Sequence, residues 1–67
     1  MSIQKNSVWL CTDEGMEEVG LKATVVEVFE DAQFNGDGEI EILHSNGTIL
    51  VMKVRRFCTR YEPYQND

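Results

Sequence analysis

The stretch Glu39-Ile40-Glu41-Ile42-Leu43-His44-Ser45-Asn46-Gly47-Thr48-Ile49-Leu50-Val51-Met52-Lys53-Val54 decides the fold. Two β-rich runs flank a dense turn signal, which reads as a hairpin. A two-residue Asn46-Gly47 loop would set Ile42 opposite Val51 and Glu41 opposite Met52, mixing apolar and charged side chains on each face. A three-residue Ser45-Asn46-Gly47 loop, with Gly47 in the left-handed conformation, sets Ile42 opposite Leu50, Ile40 opposite Met52 and Glu39 opposite Lys53. One face then carries Ile40, Ile42, Leu50, Met52 and Val54. The other carries Glu39, Glu41, Leu43, Ile49, Val51 and Lys53. A slip of one residue exchanges the faces, so the three-residue loop is preferred because it satisfies the core and an opposite-charge pair together.

Working outward, Ser7 to Thr12 reads as a first strand and Leu21 to Glu30 as a second. Between them lies an acidic loop, Asp13 to Gly20, with Met16 and Val19 available to tuck it down and room for one helical turn. Asp31 to Gly38 reads as a loop around Asn35-Gly36-Asp37-Gly38. Arg55 to Arg60 is compatible with one 3₁₀ turn, and Tyr61 to Tyr64 is a brief fifth strand ended by Pro63. Sixty-seven residues make one domain, with an ordered core expected over about residues 7 to 64. The fold class expected is all-β, a small five-stranded barrel, whose closure would remove exposed strand edges.

The order of residues supports that expectation by likeness. Trp9 opens the chain, Gly20-Leu21-Lys22-Ala23-Thr24-Val25-Val26-Glu27-Val28 follows, and Val54-Arg55-Arg56-Phe57-Cys58-Thr59-Arg60-Tyr61-Glu62-Pro63 closes it. This pattern resembles small SH3-like barrel proteins of phages and bacteria, and the glycine followed by Ala23, Val25 and a shifted Val28 resembles the start of KOW and Tudor-like barrels. The resemblance implies the fold and no particular activity. Tudor-type barrels read methylated side chains with an aromatic cage, and the spacing of the aromatic residues here does not supply one.

Composition narrows the function classes. The net charge is −6. Ten acids sit in residues 1–44 against Lys5 and Lys22, whereas Lys53, Arg55, Arg56 and Arg60 face only Glu62 and Asp67 in the remainder. The overall sign opposes generic nucleic-acid or membrane binding, and no apolar run reaches the roughly 18 residues that span a bilayer. Met1 to Ser7 has no apolar signal core, so a cytoplasmic home is expected. Cys11 and Cys58 read as reduced, small hydrophobic residues, with a disulfide as the alternative because first and last strands of a barrel are neighbours.

Enzyme activity, a cofactor and a metal are not expected. Gln33 to His44 matches an EF-hand loop at Asn35, Asp37, Gly38 and Ile40, but Gln33 and His44 stand where the terminal ligands belong. His44, the one histidine, reads as half-exposed at the hairpin end, with no serine or cysteine at an assured distance to make a nucleophile–base pair. Two surfaces remain. Leu43, Ile49 and Val51 form an outer apolar trio suited to an unidentified protein partner or to self-association as a homodimer. Lys53, Arg55, Arg56 and Arg60, interleaved with Phe57 and Tyr61, form a cluster suited to RNA or single-stranded DNA, unless the cations pair with the chain's own carboxylates. Asp13, Glu14, Glu17 and Glu18 read as a solubilising loop, with imitation of nucleic acid as the alternative. A small binding module acting through protein contact is the leading expectation.

Overall fold

The computed structural model describes residues 3–29 and 38–64. Among these, five strands form one antiparallel sheet in the order β4-β3-β2-β1-β5, with β1 Val8–Cys11, β2 Lys22–Val28, β3 Glu39–His44, β4 Ile49–Lys53 and β5 Tyr61–Pro63. One helix, α1 Val54–Arg60, joins β4 to β5. The fold is therefore mostly β, as expected, but the sheet is unclosed: β4 and β5 stand at its two ends and no ladder joins them. The turn expected at Asn35-Gly36-Asp37 and the calcium positions Gln33, Asn35 and Asp37 lie outside the described residues.

The hairpin takes the three-residue register. Glu39 pairs with Lys53, Ile40 with Met52, Ile42 with Leu50 and Leu43 with Ile49. Gly47 has φ 93°, a conformation that side-chain-bearing residues rarely adopt, and its N–H donates to the His44 carbonyl at 2.9 Å. The Asn46 Oδ1 accepts from the Thr48 N–H at 3.1 Å and stiffens the turn.

Strand β2 changes phase midway. Its pairing with β3 shifts between Val25 and Glu27, leaving Val26 as the extra residue of a bulge. Ala23 and Val25 are buried before it, and Val28 packs on the core after it. The shifted Val28 of the sequence pattern is this bulge seen from one side.

The core lies between the sheet's inner face and α1. Ile3, Trp9, Cys11, Ala23, Val25, Ile40, Ile42, Val54, Phe57 and Tyr61 are buried, with Met16, Leu50 and Met52 half-buried against them. Phe57 stacks on Tyr61 with ring centroids 4.7 Å apart and meets Trp9 edge-on at the same separation. That triad explains why residues 54–60 form an α-helix rather than the single 3₁₀ turn expected. Lys53 makes no side-chain cap, and seven residues are too few for a stable isolated helix. Docking of Val54 and Phe57 supplies what local propensity lacks. The helix ends where Tyr61 becomes extended and pairs with Cys11.

Other local expectations change. Residues 13–20 are turns, without a helix. Met16 tucks in, but Val19 stays exposed. Cys11 is buried and Cys58 is exposed on α1, and both are free thiols. The helix carries Cys58 outward, so proximity of the first and last strands does not bring the sulfurs together.

Candidate functional site

Every second residue of β1, β2, β3 and β4 points away from α1, and these residues make an outer face. Val8 pairs with Thr24, Thr24 with Leu43 and Leu43 with Ile49, so one unbroken row crosses four strands. Directly opposed side chains in such a row lie about 5 Å apart and touch. Val8, Leu43, Ile49 and Val51 are all exposed, Ile49 at 57% and Val51 at 52%. Leu43 and Ile49 of the expected trio are thus continued through Thr24 to Val8, the apolar member that sequence reading missed, while Val51 stands in the next row opposite Glu41. An open depression of about 450 Å³ adjoins the row, lined in part by Val8, Lys22, Thr24, Leu43 and Tyr64. The Lys22 ammonium sits 4.4 Å above the Tyr64 ring there, a cation–π contact at the rim.

The cations gather elsewhere. After β4 the chain turns into α1, and the angle between them holds a depression of about 550 Å³. Lys53, Arg55, Arg56 and Arg60 line it together with Val51 and Glu39. All four expected cations therefore meet in one concavity, which also reaches the outer face through Val51. Arg60 is partly committed: its Nη1 donates to the Asp13 carboxylate at 2.7 Å, fixing the acidic loop against the end of α1. A half-exposed pair of this kind contributes about 0.2–1 kcal/mol. The aromatic members of the cluster are not available. Phe57 and Tyr61 are 0% and 2% exposed, so their rings belong to the core and offer no face to a base.

His44 departs furthest from expectation. Its relative exposure is 2%, and both ring nitrogens are engaged. Nδ1 lies 2.9 Å from the Thr48 carbonyl, which can only accept, so Nδ1 carries the proton. In the neutral ring Nε2 then accepts from the Tyr61 hydroxyl at 2.6 Å. Burial pushes the Tyr61 phenol well above its ordinary value, with the neighbouring Cys11 sulfur the next cause. Every buried side-chain nitrogen or oxygen among the described residues has a partner. This network satisfies buried polar groups and joins β3 to β5. Among the described residues, no group of three His, Cys, Asp or Glu side chains is placed to hold a metal ion. No described helix is long and apolar enough to cross a membrane.

Comparison with protein-family models, with curated proteins and with solved structures gives no match.

Proposed function

We propose that this chain is a small, non-enzymatic interaction module that binds another protein through the outer face of its sheet, at Leu43, Ile49 and Val51. The observation that carries this reading is the row across four strands in which Val8, Leu43 and Ile49 are exposed and Thr24 is half-buried between them. Scattered surface hydrophobes are ordinary, whereas apolar side chains gathered on one sheet face, here around Thr24 and beside Glu41, are characteristic of a contact surface. On this reading the sheet belongs to a small SH3-like barrel, which the β1–β4 meander, the return of β5 beside β1 and the helix between the last two strands support. The setting is cytoplasmic, which two unbridged thiols suit.

A Leu43→Lys/Ile49→Lys variant tests the proposal. Its circular dichroism and melting should match the wild type, because both side chains are exposed. Affinity capture from the native host should lose a stoichiometric protein that the wild type retains. Recovery of the same protein by both would sink the outer-face reading.

A second reading, binding of RNA or single-stranded DNA, is supported by the convergence of Lys53, Arg55, Arg56 and Arg60 on one depression. It is weakened by the burial of Phe57 and Tyr61, which removes the stacking platform such sites use.

A further inference from the structure

Strand β4 is an end strand of the sheet, and its ladder with β3 fixes which backbone groups face outward. The His44 N–H donates to the Thr48 carbonyl at 2.8 Å, and the Val54 N–H donates to the Gly38 carbonyl at 3.0 Å. In an antiparallel pair, bonded and non-bonded positions alternate. Leu50 and Met52 therefore turn their N–H and C=O groups toward β3. Ile49 and Val51 turn theirs away from the sheet, as does the Lys53 N–H, whereas the Lys53 carbonyl is taken up by the first turn of α1.

The same three residues are exposed in their side chains: Ile49 and Val51 on the outer face, Lys53 lining the cationic depression. An edge of this kind is a template for another strand unless charge, proline or a covering segment blunts it. Here only Lys53 is charged, and it stands at one end of the strand. Arg56 lines the same depression as Val51 and Lys53 and adds a second positive charge at that end of the edge. The local sign is opposite to that of the whole chain, whose net charge is −6.

We propose that the β4 edge takes an extended acidic peptide as an added strand, pairing its backbone with Ile49, Val51 and the Lys53 N–H and setting its carboxylates against Lys53 and Arg56. This rests on the reading of the chain as a protein-interaction module and names the chemistry of its partner. Main-chain pairing supplies affinity in such an arrangement, and the alternating side chains supply selectivity. Aliphatic residues of the peptide would continue the outer face at Ile49 and Val51, and acidic residues would lie toward the α1 end.

The test uses a labelled nine-residue peptide of alternating glutamate and valine. Its controls are an alternating lysine and valine peptide, a glutamate–valine peptide with central proline, and a single-stranded oligodeoxythymidine. Fluorescence anisotropy should show the glutamate peptide binding at least about tenfold more tightly than the lysine peptide, with affinity falling as salt rises. The central proline should abolish binding. In ¹H–¹⁵N spectra the amides of Ile49, Val51 and Lys53 should move most. Lys53→Glu/Arg56→Glu should weaken binding by roughly tenfold or more. Val51→Pro removes one outward donor while sparing the ladder to β3, and it should also abolish binding.

Equal binding of the lysine peptide or of the proline peptide would overturn the proposal. So would no binding, tighter binding of the oligonucleotide, or self-pairing of the chain through the same amides. If the proposal falls while Leu43→Lys/Ile49→Lys still loses a captured protein, the outer-face reading survives without strand addition.

Discussion

The two faces of the sheet come from the same strands and much the same residue types. On the inner face, Trp9, Ala23 and His44 stand side by side, with Val25 and Ile42 in the next row, all buried in the core to which α1 contributes Val54 and Phe57. One residue along each strand, Val8, Thr24, Leu43 and Ile49 form an equally continuous row that nothing described covers. Isoleucine and valine occur on both sides. Apolar character alone therefore does not mark the core; phase relative to Gly47 and to the bulge at Val26 does, together with which side the connecting helix falls on.

The largest effect expected from this asymmetry is at Phe57. Its side chain is fully buried and holds α1 against Trp9 and Tyr61. Phe57→Ala should cost about 3–5 kcal/mol, by loss of burial and creation of a cavity. A domain this small has only a few kcal/mol of stability, so urea titration should find the variant largely unfolded. A folded variant with a cost below about 1 kcal/mol would mean that α1 does not close the inner face.

An intermediate effect is expected from alkali. The Tyr61 phenol is raised by burial, so the folded state keeps its proton where the unfolded chain has lost it. The unfolded state then binds fewer protons, and stability falls with rising pH. The contribution is fully present below a pH of about 10, the ordinary tyrosine value, and declines above it by up to about 1.4 kcal/mol per pH unit. Melting curves between about pH 9 and 11 should show this slope in the wild type and lack it in Tyr61→Phe. Equal slopes in both proteins would remove Tyr61 as its source.

The smallest effect belongs to the outer face. Ile49→Thr should change stability by less than about 0.5 kcal/mol, since the side chain is already more than half exposed. A cost approaching that of an inner-face truncation would show that another part of the chain covers this row in solution.

The hairpin was legible because its determinants are local. Gly47 supplies the left-handed turn, and the alternation in Glu39 to His44 and Thr48 to Val54 admits only one register that keeps Ile40 and Ile42 together. The helix was not legible because Val54 to Arg60 owes its conformation to Phe57 meeting Trp9, which lies far away in sequence. His44 was misread for the same reason. A polar residue at a hairpin end reads as solvated, and its burial is satisfied by the Thr48 carbonyl within the hairpin together with Tyr61, seventeen residues later. The candidate site was legible in its pieces. The apolar trio and the cations could be named, but their meeting at Val51 depends on how α1 leaves β4. That two of the cluster's aromatic rings turn inward follows from the same helix.

The contact between Trp9 and Phe57 has a practical consequence. The chain has one tryptophan, and its indole is buried with Nε1 donating to the Ser7 hydroxyl at 3.0 Å. Its ring lies between the first strand and the helix. Intrinsic emission from this single fluorophore should therefore shift to the red when α1 lifts away, even if the β2–β3–β4 meander remains paired. Set against a far-ultraviolet signal dominated by the strands, it would time the departure of the helix separately from the melting of the sheet.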